Sequence, residues 1–290
     1  MQWFGGRESD NVEEGSSSGG GRGLFLGGGA LGLIGVLVYL FTGVNVNGLF
    51  NSGQPDQSQQ QNHKISSANL TTDQRFASVI FASTEDVWTS LFNDMSKTYT
   101  SPTLHFFTDG VDAQGCGFAS SATGPFYCPA DRKVYIDLAF FDELSNRFQS
   151  PGEAAKAYVI AHEVGHHVQN LLGLSAKVDA ARQQLSQTEF NKLSVKLELQ
   201  ADFYAGVWAH YVQQARSKGV VINRADIDSA LTAAHAIGDD RLQQQSTGHI
   251  EPDSFTHGTS AQRAYWFKKG FDTGDVRQGN TFGKREEDSL

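Results

Sequence analysis

The chain has 290 residues, 39% of them hydrophobic, and a formal net charge of −9 at pH 7, with a pI near 5.4. That length and apolar content suit one domain of about 210 residues plus appendages. The acidic balance argues against nucleic acid as a partner, and two cysteines are too few for a thiolate metal cluster or a disulfide-dense scaffold.

In chain order, residues 1–23 read as a disordered tail. Residues 24–43 carry no charge and are long enough to cross a bilayer as one helix. A cleaved signal peptide is disfavoured because the stretch is long and no Ala-x-Ala-like site closes it, and a buried core helix is disfavoured by its glycines. Gly28 and Gly32 form a GxxxG pair, a weak match in so glycine-rich a stretch. Arg7 and Arg22 precede the stretch and no Lys or Arg follows until Lys64. The positive-inside rule then puts the N-terminus in the cytoplasm and the rest outside the cytoplasmic membrane, in the periplasm if the cell is Gram-negative. Residues 44–69, rich in Ser, Gln and Asn, read as a flexible tether, residues 70–282 as the functional domain and residues 283–290 as a charged tail.

Within the domain, Asp73 to Met95 has the apolar spacing of a helix, with Phe76, Val79, Ile80, Val87, Trp88, Leu91 and Phe92 on one face. Leu104 to Phe107 and Lys133 to Asp137 are β-rich, with glycine and proline between them, and predict a small sheet. Cys116 and Cys128 lie between these strands. On an exported domain they suggest one disulfide; a pair of metal ligands is the rival reading, for which the spacing is wrong.

The informative segment comes next. Ser150-Pro151-Gly152-Glu153 reads as a capping box with proline at the first helical position, and Gly173 supplies the stop. The helix between them carries His162-Glu163-Val164-Gly165-His166. Two histidines at i and i+4 share one helix face and can bind a single Zn²⁺ ion, with Glu163 placed as a base. Gly165 is costly in a helix, which predicts that something packs closely against the backbone there. His167 points about 100° away from His166 and reads as a histidine of the solvated face.

A catalytic zinc needs a third protein ligand and an open position. A second helix is predicted between Ser186 and Gly219, with Ser186 and Glu189 as its capping box. Glu198 and Asp202 share one face of it. Glu198 can complete the site while Asp202 accepts the outward N–H of a ligand histidine. By residue and spacing this resembles the gluzincin metallopeptidases. The segments HEVGHHVQNLLG, ELQADFYAGVWAH and DSFTHGTSAQRAYWFKKGF, with the glycine-rich N-terminal segment and apolar stretch, resemble a bacterial family of neutral zinc metallopeptidases with a single N-terminal anchor. The resemblance implies an α+β, helix-dominated, zincin-like metallopeptidase domain with one N-terminal transmembrane helix and one Zn²⁺ per chain. It also implies that residues 126–137 form a cleft edge for an extended peptide, ordinary sheet being the alternative.

The expected chemistry is hydrolysis of peptide bonds in a protein or peptide substrate, with zinc on His162, His166 and Glu198 and with Glu163 as general base. His257, in a loop before a predicted helix, is the candidate oxyanion donor, by analogy with late histidines of some gluzincins; a loop or capping histidine is the bland alternative. Arg263 is expected to anchor a buried carboxylate, and Tyr204 to lie in the core. Two rival functions stay open: a membrane-tethered scaffold with a non-catalytic zinc, and a zinc amidase acting on cell-wall peptides.

Overall fold

The computed structural model describes residues 1–15, 62–64, 69–214, 217 and 219–283. Its main sheet has the strand order β2-β1-β3-β7-β6. The strands are β1 (Val12–Gly15), β2 (Asn62–Lys64), β3 (Thr103–Phe107), β6 (Phe126–Cys128) and β7 (Lys133–Asp137). The central trio β1, β3 and β7 is parallel, with Glu13, His105 and Tyr135 in register, while β2 and β6 run antiparallel at the two edges. A separate hairpin joins β4 (Gly110–Ala113) to β5 (Gly117–Ser120).

Alternation along β3 and β7 divides the side chains between two faces. Leu104, Phe106, Val134 and Ile136 face the main helical core, whereas Phe107 and Tyr135 face a smaller cluster under the β4–β5 hairpin. The helices are α1 (Thr72–Asp94), α2 (Ala139–Asn146), α3 (Glu153–Leu171), α4 (Leu174–Arg182), α5 (Gln187–Gln213), α6 (Arg224–Ala236), α7 (Asp239–Ser246) and α8 (Ser260–Thr273). The predicted capping box of α5 is present, with Ser186 accepting from the Glu189 backbone and Glu189 reaching back. That of α3 is not. Gly152, at φ 111°, is its N-cap, the Ser150 hydroxyl turns to the Phe148 carbonyl, and Glu153 instead accepts from the Trp3 indole at 2.6 Å. Gly173 takes the left-handed conformation that ends α3, as its position predicts.

Helices α5 and α8 cross in backbone contact. A Cβ placed on Gly206 would lie 2.0 Å from the Phe267 carbonyl, and one on Gly270 would lie 2.0 Å from that of Phe203. Only glycine at both positions lets the helices come this near, which brings Arg263 of α8 against α5. Tyr204 packs in the core against Trp88, 5.4 Å between ring centroids, as expected.

The fold class is thus helix-rich α+β, and the expected transmembrane helix is not part of it. Among the described residues no helix is long and apolar enough to cross a membrane. The stretch 24–43 lies outside the described residues, as do most of the expected tether and nearly all of the charged tail. Residues 1–15, expected to be a disordered cytoplasmic tail, are instead built into the domain. β1 lies inside the sheet beside β3, and Trp3 and Val12 are buried in the main core. Buried Glu85 of α1 accepts from Arg7 at 2.9 Å, Ser9 at 2.7 Å and Asn11 at 2.8 Å.

Candidate metal centre and cleft

Helices α3 and α5 face each other through the two predicted motifs. His162 Nε2 lies 3.1 Å from one Glu198 carboxylate oxygen and His166 Nε2 lies 3.3 Å from the other. One ligand atom from each of the three residues falls within 4.8 Å of the others. Close approach of the helices depends on Gly165, as its cost in a helix predicts. An added Cβ there would sit 2.9 Å from the Ala201 carbonyl and 3.3 Å from the Ala201 Cβ. Gly165→Ala should therefore cost about 1–3 kcal/mol through overpacking and weaken zinc binding by pushing α3 off α5. Thermal unfolding with and without zinc measures both, and an unchanged Tm would refute the close-packing account.

The remaining ring nitrogens fix the tautomers. His162 Nδ1 lies 2.8 Å from Asp202 Oδ1. His166 Nδ1 lies 2.9 Å from Gln169 Oε1, while Gln169 uses its amide N–H groups on the Leu197 carbonyl and Gln200. An oxygen acceptor at each Nδ1 leaves the Nε2 lone pair pointing into the cluster. Two imidazoles and a carboxylate so oriented make a donor set suited to zinc. The local field agrees. Burial opposes a charge on His162, yet Asp202 and Glu198 outweigh it and, without a metal, hold the ring's pKa up to about 10; zinc would displace the Nε2 proton, and the same carboxylates favour the cation. Burial also works against the Glu198 carboxylate, and the neighbouring histidines still keep it well below the usual range.

Asp202 is fully buried and is the hub of the outer layer. Besides His162, it accepts from the Tyr158 hydroxyl at 2.5 Å and from Arg263 through Nε at 2.8 Å and Nη2 at 3.0 Å. Burial raises its pKa, but Arg263 and His162 prevail and keep it ionised. Arg263 thus anchors a buried carboxylate, as its position in the sequence predicts.

A cleft of about 1090 Å³ opens over this cluster. Glu163 lines it beside the two histidines, and burial pushes its carboxyl above the ordinary range. His257 also lines it, brought there by the loop before α8. Its Nδ1 is 2.9 Å from Asp239 Oδ1, and Asp239 Oδ2 accepts the backbone N–H groups of Thr256, His257 and Gly258. The His257 Nε2 is buried and has no hydrogen-bond partner among the described residues. Burial disfavours the imidazolium, but Asp239 more than compensates and raises the pKa. Edge strand β6 forms one wall, tied to the β4–β5 turn by the expected Cys116–Cys128 disulfide, with Cα atoms 6.0 Å apart.

The sequence-predicted residues His162, Glu163, His166, Glu198 and His257 line one cleft, and Asp202, fully buried, supports it through His162. Tyr158, Gln169 and Asp239 were missed. Tyr158 precedes His162 by one helical turn and Gln169 follows His166 by three residues, so helical spacing could have flagged both. No local signal marks Asp239, whose partner lies in another element. His167 is not on a solvated face: it is fully buried, and burial pulls its pKa down to about 4.

A family model described as "Putative neutral zinc metallopeptidase" matches residues 1–282, a span that includes β1. The Escherichia coli K12 protein named "Uncharacterized protein YpfJ" is 52% identical over 292 residues, covering 98% of this chain and 99% of that protein. "Uncharacterized protein Rv2575" of Mycobacterium tuberculosis H37Rv is 45% identical over 207 residues, covering 69% of this chain and 67% of that protein. No solved structure matches the chain.

Proposed function

The chain belongs to the neutral zinc metallopeptidase family, and from that premise we propose that it is a zinc-dependent endopeptidase. The observation that carries the reading is the convergence of His162, His166 and Glu198 beneath an open cleft, with Glu163 beside them. A structural zinc site closes with four protein ligands and has no use for a buried carboxylate base.

His162, His166 and Glu198 would hold the ion. Zinc there would supply Lewis acidity, lowering the pKa of a water toward neutrality and polarising the substrate carbonyl. Glu163 takes the proton from the attacking water and passes it to the leaving amine; its burial, which raises its basicity, suits that task. His257, held by Asp239, donates its Nε2–H to the oxygen on which negative charge develops. The partnerless Nε2 in the cleft wall supports this role. Strand β6 is the last in its sheet, so its outer backbone groups can take an extended peptide by strand addition.

The test is zinc content together with cleavage of unfolded casein by the full chain. One zinc per chain is expected, with cleavage lost on adding 1,10-phenanthroline and restored by zinc. Stoichiometric zinc with no cleavage across a broad peptide library would overturn the endopeptidase reading.

A further inference from the structure

We propose that His167 is a positioning residue that clamps edge strand β6 to the ligand helix α3, setting the gap in which a peptide lies. The proposal rests on the peptidase reading only for the peptide's identity as substrate; the clamp stands on geometry.

Strand β6 has three residues, so successive side chains hold it from opposite faces. Phe126 and Cys128 point to the hairpin side. There Phe126 stacks on Tyr135 with centroids 4.9 Å apart, and Cys128 is bonded to Cys116. Tyr127 points the other way, into the main core beside α3. Its hydroxyl meets two side chains of that helix, His167 Nδ1 at 3.0 Å and Asn170 Nδ2 at 2.9 Å. His167 Nε2 in turn lies 2.7 Å from the Thr100 carbonyl, on the chain leading into β3.

Only one proton arrangement satisfies every partner. A carbonyl can only accept, so His167 Nε2 carries the hydrogen and Nδ1 is bare. The Tyr127 hydroxyl then donates to Nδ1 and its oxygen accepts from Asn170. One buried ring thereby joins the ligand helix, the edge strand and the approach to β3.

The location gives the clamp its consequence. Glu163 and His167 are four residues apart on α3 and share a helix face, so β6 is fastened one turn from the proposed base. Zinc does not depend on His167, because the two ligand histidines are oriented by Asp202 and Gln169 and His167 contacts none of the three ligand residues through its ring nitrogens. Loosening the clamp should therefore alter how a peptide is held against β6 while leaving the metal and the chemical step nearly intact.

The experiment compares His167→Leu, His167→Gln and Tyr127→Phe in the full chain. His167→Leu removes the acceptor and the donor, whereas glutamine offers one of each at similar reach. For a quenched fluorescent peptide, His167→Leu is expected to raise KM about tenfold, the size of one buried hydrogen bond, with kcat within about threefold and zinc content unchanged. His167→Gln should recover most of that loss. Tyr127→Phe, which keeps the ring and its packing, should raise KM comparably, and the Leu/Phe double variant should be little worse than either single one. Hydrogen exchange at residues 126–128 supplies a readout that needs no substrate: it should quicken in His167→Leu and Tyr127→Phe and return toward wild type in His167→Gln. Unchanged exchange at β6 would overturn the clamp, as would a fall in kcat at constant KM. If no form of the protein cleaves peptide and exchange still follows the expected order, the clamp stands and the peptidase reading falls.

Discussion

Replacing Glu163 by glutamine is expected to lower kcat/KM on an unfolded protein substrate about 10³-fold while zinc remains stoichiometric. The magnitude follows from the role, since a positioned general base contributes about 10²–10⁴-fold. Glutamine preserves the volume and the helix but cannot accept the proton. Glu163 is not among the atoms that converge on the metal position, which belong to His162, His166 and Glu198, so its neutralisation should leave the ion in place. Its removal also relieves like-charge crowding with Glu198, one of the interactions that raise the Glu163 pKa. Zinc affinity should consequently change far less than activity. The paired measurement is kcat/KM and metal content on the same preparation. Retained cleavage would remove Glu163 from the mechanism, and loss of both zinc and cleavage would instead make it a ligand.

The parts of this site that were legible in the sequence are those written within one helix. His162 and His166 lie a turn apart, as do Glu198 and Asp202, and α5 starts where its capping box predicts. The fit between the two helices could be anticipated only through Gly165, a residue whose cost demands a reason. What could not be read depends on partners distant in the chain. Asp239 has no motif of its own and becomes meaningful only when the loop carrying His257 folds back onto it. His167 looks like a surplus histidine until Tyr127 and Thr100 are seen on either side of its ring.

Residues 1–15 show the same limit most clearly. Their polar, charged composition is that of a disordered tail, because local sequence does not reveal that Glu85 supplies acceptors for Arg7, Ser9 and Asn11. The membrane topology was inferred from hydropathy and flanking charge, both local quantities. Pairing of β1 with β3 is a non-local constraint that neither quantity encodes.

Arg263→Met should produce the second large effect, on stability and metal binding together. The substitution retains most of the apolar stem and deletes the guanidinium that meets Asp202 through two nitrogens. Both partners are almost wholly inaccessible, at 3% and 0% side-chain exposure, so solvent cannot replace the lost charge. Breaking one side of a buried pair costs about 3–5 kcal/mol, because the remaining charge is stranded. Asp202 would then tend to bind a proton, weakening its hold on His162 Nδ1, and loss of such outer support typically reduces metal affinity about 10–100-fold. The double variant Arg263→Met/Asp202→Leu separates the two consequences. With no stranded carboxylate it should recover part of the stability lost in Arg263→Met, yet it should bind zinc no better, since His162 would have lost its acceptor. Chemical denaturation and competitive zinc titration of the wild type, Arg263→Met, Asp202→Leu and the double variant measure these quantities. Additive losses of stability in the double variant would show that Arg263 and Asp202 do not act as a pair, and zinc affinity equal to wild type in Arg263→Met would show that the outer layer does not orient the metal ligand.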